Sequence, residues 1–91
     1  MSSAKESIFF AITMSRSSDN KTLRAQAENI RSLAIANIQG SEISQDEQDR
    51  KKSRLDSAYN SYCDSMGTDN ERLSFRKFEQ AVQSATGISV P

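Results

Sequence analysis

The chain has no histidine and no tryptophan, one cysteine (Cys63) and one proline (Pro91). Because histidine is the commonest general base and the commonest metal ligand, its absence removes the usual catalytic dyads and triads. One thiol without an imidazole also cannot supply the four ligands of a structural zinc site. Every acidic residue is predicted to be a helix cap, a turn residue or an exposed helix residue. The sequence therefore predicts a protein that is not an enzyme and that holds no metal and no cofactor.

The scarcity of cysteine and of long apolar runs bears on location. A single thiol excludes a disulfide within the chain, which suits a reducing compartment. The longest apolar run, residues 8–12, is too short to cross a bilayer. Glu6 interrupts the basic start that a signal peptide would need. These features predict a cytoplasmic protein without a membrane-spanning segment.

Charge of one sign is also lacking. The 91 residues carry 12 basic and 12 acidic side chains, so the formal net charge is zero. Such a balance gives no overall field that would draw the chain to nucleic acid or membranes. The length predicts one domain over residues 1–91, and with 35% apolar residues its core is small.

The sequence is rich in signals that start and end helices. Three capping boxes pair a hydroxyl with a glutamate three residues on, and they begin at Ser3, Ser44 and Thr68. Helix stops, where a positive φ angle favours glycine, are predicted at Gly40, Gly67 and Gly87. The sequence thus predicts an all-α fold, a small compact bundle of about four helices. Their predicted ranges are 4–16, 21–39, 45–66 and a last helix that starts at 69 or at 74 and ends at 86.

Apolar spacing predicts which helix faces are buried. The clearest amphipathic stripe lies in the second helix, at Leu23, Ala27, Ile30, Leu33, Ala34 and Ile38. A start of the last helix at Ser74 would pair Leu73 with Phe78 as a hydrophobic staple. Residues 88–91 are predicted to form a loose tail.

The first helix has apolar residues on two sides. Ile8, Phe9 and Ile12 share one side, whereas Phe10 and Met14 lie on the other. Two interpretations stay open: Phe10 and Met14 complete the core, or they form an apolar contact with a partner. Aromatic residues and methionine are enriched at such contacts.

A basic segment lies in the first half of the third helix, where residues 45–54 contain no apolar side chain. Its cations are Arg50, Lys51, Lys52 and Arg54. It is either a phosphate-binding patch or a solvated helix face. We favour the solvated face, because four acids interleave with the four bases, at Asp46, Glu47, Asp49 and Asp56. Ion pairs Asp46–Arg50 and Glu47–Lys51 are predicted along this helix.

With catalysis, metal binding and membrane insertion excluded, the sequence predicts that the protein functions by contacting other molecules through its surface. We predict a small non-enzymatic protein that binds another protein as an inhibitor, an adaptor or a chaperone. Its size fits a phage or bacterial origin. Its partner is a different protein or a second copy in a homodimer. The predicted partner-binding residues are Phe10, Met14, Arg50, Lys51, Lys52 and Arg54. The alternative is a weak nucleic-acid-binding regulator that uses the basic segment.

Overall fold

The computed structural model describes residues 3–91 and contains four α-helices, with no strand in that range. Helix α1 spans Ala4–Ser15, α2 spans Asn20–Gln39, α3 spans Gln45–Ser65 and α4 spans Glu71–Thr86. The predicted all-α bundle of four helices is confirmed, and the first three helices end within a residue of their predicted bounds. No helix in residues 3–91 combines the length and apolarity needed to cross a membrane.

Side-chain caps fix the first three helix starts. The Ser3 hydroxyl accepts a hydrogen bond from the Glu6 N–H at 3.2 Å, and Ser44 accepts from the Glu47 N–H at the same distance. The α2 cap is Asp19, which accepts from the Thr22 N–H at 2.8 Å. The bond from the Thr22 N–H, followed by the interaction with the Thr22 side chain, lowers the pKa of the Asp19 carboxyl. Each cap satisfies a backbone donor that the helix itself cannot pair.

The start of α4 differs from both predicted starts. The Thr68 hydroxyl accepts from the Asn70 N–H at 3.2 Å and donates to the Ser65 carbonyl at 2.6 Å, so it does not cap Glu71. The helix begins at Glu71. Leu73 is 57% exposed and forms no staple with the buried Phe78. The start at 74 is therefore wrong, and the local turn places the first helical residue between the two predictions.

The core is organised around α2, which packs against α1, α3 and α4, while α3 also packs against α4. Of the predicted α2 stripe, Leu33 is half-buried and the other five residues are buried. The facing side chains come from the other three helices and are Ile8, Ala11, Ile12, Leu55, Tyr62, Phe75, Phe78 and Val82. The 3.6-residue apolar spacing therefore identifies the buried faces correctly.

The tail is held against the bundle, so the prediction of a loose tail is wrong. Val90 is 9% exposed, and its N–H donates to Gln83 Oε1 at 3.0 Å. Arg16 donates to the Val90 carbonyl at 3.2 Å and to the Pro91 carbonyl. These polar anchors come from residues distant in sequence, which local apolar spacing does not reveal.

Two of the glycines that follow helices have φ angles of opposite sign. Gly67 has a φ angle of +81°, which side-chain-bearing residues rarely adopt. Gly40 has a φ of −86°, so the predicted positive φ is wrong there. We expect Gly67→Ala to lower the unfolding free energy by about 1–2 kcal/mol. Gly40→Ala is expected to raise it by about 0.4–1 kcal/mol, because alanine restricts the unfolded chain.

Urea unfolding of the two alanine variants measures both changes against the parent chain. A Cβ at Gly67 meets nothing within 4 Å, so any loss of stability there reports backbone strain alone. Equal effects at the two positions would contradict the assigned backbone conformations.

Candidate functional site

The outer face of α1 exposes two large apolar side chains. Phe10 and Met14 are each 61% exposed, whereas Ile8 and Ile12 on the same helix are fully buried. Phe10 and Met14 are four residues apart, so they are neighbours on the helix surface. The core interpretation is therefore wrong for both residues. We call this pair the α1 face.

Phe10 is partly positioned by its own helix. Its ring meets the half-buried Phe9 ring edge to face, with the centroids 5.9 Å apart. A shallow depression of about 240 Å³ lies beside the two rings, and Lys5, Glu6 and Ile88 complete its lining. The α1 face thus joins an exposed aromatic ring to a small hollow with a charged edge, an arrangement suited to an apolar side chain of a partner.

Three of the four cations of the predicted basic segment line two neighbouring depressions of the surface. Arg50 and Arg54 line a groove between α3 and α4, with a volume of about 870 Å³. Lys51 instead approaches Glu47, with Nζ 3.9 Å from the carboxylate oxygen. Lys52 is half-buried and is not among the residues that line this groove. Lys51 and Arg54 also line a smaller depression together with Ser84 and Ala85. Lys51 is therefore contiguous with the groove arginines, whereas Lys52 lines neither depression.

The α3–α4 groove has cationic and small side chains. Lys77 of α4 joins Arg50 and Arg54 of α3, and Asp49 is the one acid in the lining. The other lining residues are four serines and two alanines. Lys77 is a residue that sequence reasoning missed. Its signal is weak, because only the pairing of α3 with α4 places it opposite the two arginines.

The acids of α3 do not neutralise the groove arginines. Within residues 3–91, the predicted Asp46–Arg50 ion pair is absent, whereas Glu47–Lys51 is present. Three carboxylates have other partners: Glu47 approaches Lys51, Asp49 accepts from Gln45 at 2.9 Å, and Asp56 lies 3.0 Å from Arg31. Of the two predicted ion pairs, Glu47–Lys51 is therefore confirmed and Asp46–Arg50 is wrong.

Two acids are buried, contrary to the prediction that all are exposed, capping or in turns. Glu71 and Glu79 are each 1% exposed. Arg24 donates through Nη2 and Nε to the two Glu71 oxygens at 2.8 and 2.9 Å, and Arg16 Nε lies 3.0 Å from Glu79 Oε1. Their spacing in the sequence indicates this burial, because both glutamates fall on the apolar face of α4.

The hydrogen bonds that Glu71 accepts set its charge. Arg24 first, and then the Gly67 N–H at 2.8 Å, lower the pKa of the Glu71 carboxyl from 4.5 to about 2. Each glutamate joins α4 to another part of the bundle, Glu71 to α2 and Glu79 to the end of α1. These carboxylates are engaged in holding the helices together, which is typical of a structural role.

Tyr62 packs in the core against the rings of Phe75 and Phe78. It is fully buried, and its hydroxyl has no hydrogen-bonding partner within residues 3–91. Burial raises the pKa of the Tyr62 phenol to about 12. The phenol therefore stays protonated at neutral pH.

No group of three or more metal-ligating side chains, counting histidine, cysteine, aspartate and glutamate, is assembled in the described part of the chain. Comparisons with protein-family models, with curated proteins and with solved structures give no match. The candidate site is therefore defined by geometry alone, as the α1 face and the α3–α4 groove.

Proposed function

We propose that this chain is a non-enzymatic protein that acts by binding another protein, as an inhibitor, adaptor or chaperone, through the α1 face. The exposure of Phe10 and Met14 carries this proposal, because each leaves 61% of its surface in water one helical turn from the other. A lone exposed apolar residue is ordinary, whereas an adjacent aromatic and methionine are typical of a contact surface. The lone Cys63 suits action in the cytoplasm.

The two exposed side chains of the α1 face are too small to hold a stable complex by themselves. An aromatic side chain offers roughly 200 Å², so Phe10 at 61% exposure and Met14 together present about 250 Å². A stable complex buries about 800 Å² on each partner. A homodimer built on this face alone would therefore be weak, and a partner of either kind must also contact neighbouring polar surface.

Phe10→Asp is expected to abolish partner binding while leaving the fold intact, because it places a charge in the contact and changes no buried side chain. Tagged wild-type protein and the variant are expressed in the cells that produce the chain, and co-purifying proteins are quantified by mass spectrometry. Lys21→Asp, at an exposed position on α2, is the matched control and should retain the partner.

Light scattering coupled to size-exclusion chromatography separates the two kinds of partner. We expect a monomer at low micromolar concentration in both low and high salt. A dimer that survives high salt and is lost in Phe10→Asp would identify the partner as a second copy. A co-purified set that is identical for wild type and Phe10→Asp would contradict the proposed use of the α1 face.

The second candidate function is nucleic-acid binding by the basic segment, and one observation favours it. Arg50 and Arg54 make no ion pair within residues 3–91, so they are free to contact phosphates. A phosphate-driven complex weakens steeply as salt rises, whereas an apolar protein contact does not. Unchanged nucleic-acid binding after Lys51→Glu and Lys52→Glu would remove the predicted role of those two lysines.

A further inference from the structure

We propose that the α3–α4 groove is a second binding site, separate from the α1 face, and that its ligand is an acidic helical segment of a partner protein. The groove and the depression beside Phe10 share no lining residue. The segment would present carboxylates one helical turn apart. This proposal goes beyond the α1 contact and does not depend on it.

Charge is the first support. Three cations and one acid line the groove, which gives a local charge of +2 (three minus one) in a chain whose net charge is zero. Arg50, Arg54 and Lys77 make no ion pair or side-chain hydrogen bond to any residue in 3–91. The α3 acids that could have paired with them have other partners or none. The groove therefore offers free cationic groups to an anionic ligand.

Spacing is the second support. Arg50 and Arg54 are one turn apart on α3, a geometry that holds Cβ atoms about 5–6 Å apart. Carboxylates at i and i+4 of a partner helix have the same spacing, and a guanidinium binds a carboxylate through two parallel hydrogen bonds. Lys77 faces them from α4 and can contact a third acid.

Shape is the third support. Apart from the four charged residues, the lining consists of serine and alanine side chains, including Ser57, Ser61 and Ala81. Short side chains let a partner helix, about 10 Å across, approach the bundle closely. Binding of one helix face in a groove between two others is a common recognition mode.

The same lining favours protein over nucleic acid. It includes no aromatic side chain on which an unpaired base could stack. Nucleic acid is therefore the competing outcome of the test.

Selection from a random peptide library displayed on phage, with the whole protein immobilised, tests the ligand chemistry without a known partner. We expect the selected peptides to share two carboxylates three or four residues apart. Their affinity is then measured by fluorescence anisotropy with wild type, Arg54→Glu, Lys77→Glu and Lys21→Glu. Each groove variant should weaken binding about tenfold, the loss of one charge-assisted contact, whereas Lys21→Glu on exposed α2 surface should match wild type.

Two further variants keep the outcomes distinct. Phe10→Asp should bind the selected peptides as wild type does, so failure of the α1 proposal would leave this one standing. Arg54→Gln, which removes the charge without reversing it, should give an intermediate loss. Circular dichroism confirms that each variant is folded.

Three results would overturn the proposal. The library could yield no binder or only peptides without carboxylates. The selected peptides could bind Arg54→Glu and Lys77→Glu as tightly as they bind wild type. Single-stranded DNA or RNA could bind more tightly than any peptide and lose affinity in the same two variants, which would assign the groove to nucleic acid.

Discussion

Replacing Glu71 by glutamine is expected to lower the melting temperature by about 10 °C at neutral pH. The carboxylate accepts two hydrogen bonds from Arg24 and one from the Gly67 N–H while only 1% of the residue is exposed. Hydrogen bonds to a charged group contribute about 2 kcal/mol, and each kcal/mol shifts the melting temperature of a domain this small by about 4–8 °C. Glutamine keeps the shape and loses the charge.

The difference in stability between wild type and Glu71→Gln is expected to depend on pH. The Glu71 carboxyl has a pKa of about 2 in the folded protein against 4.5 ordinarily, so the folded state favours the ionised form. The resulting stabilisation is fully present above pH 4.5 and is lost as the pH falls towards 2. Since glutamine does not titrate, wild type and Glu71→Gln should converge in stability over that interval.

Thermal melts at several pH values measure this convergence. Glu28→Gln removes an exposed carboxylate from α2 and is the matched control, with little expected change at any pH. A constant difference between wild type and Glu71→Gln from neutral pH to pH 2 would contradict the assigned ion pair.

Phe78→Ala is expected to have the largest effect on stability. Phe78 is fully buried, and its ring lies 5.4 Å from the Tyr59 ring, 6.1 Å from Phe75 and 6.5 Å from Tyr62, centroid to centroid. Truncating a buried phenylalanine costs about 3–5 kcal/mol, because the contacts are lost and a cavity remains. A domain of this size has only about 5–14 kcal/mol in total. The variant should therefore melt at least about 12 °C lower.

Leu73→Ala on the same helix is the control for that substitution. Leu73 is 57% exposed, so its truncation should change the unfolding free energy by less than about 0.5 kcal/mol. Urea unfolding followed by circular dichroism compares the two. Similar losses at Phe78 and Leu73 would contradict the assigned orientation of α4.

The sequence predicts most of this fold because local rules act strongly in a helical chain. Hydroxyl caps such as Ser3 and Ser44 and the 3.6-residue apolar spacing of α2 depend only on residues close in sequence. The boundary of α4 is harder, because Thr68 can cap the helix or bond within the turn and only the folded turn decides.

The candidate site was less predictable, since it depends on which helices become neighbours. Spacing along α1 separates Phe10 and Met14 from the buried side, and both are indeed exposed. Lys77 joins Arg50 and Arg54 only through the packing of α3 on α4. Residue type does not predict the buried glutamates, because a charged side chain is ordinarily exposed. They are paired by Arg16, which follows α1, and by Arg24 of α2, both distant in sequence.

Site-specific crosslinking in the producing cells tests most directly whether this chain functions by binding another protein through α1. A photo-reactive phenylalanine analogue replaces Phe10 in one strain and Lys21 in another, and adducts are identified by mass spectrometry after illumination. We expect one discrete adduct with a single protein from the Phe10 position and none from Lys21. Absence of any adduct at Phe10, or the same adducts at both positions, would contradict the proposed function.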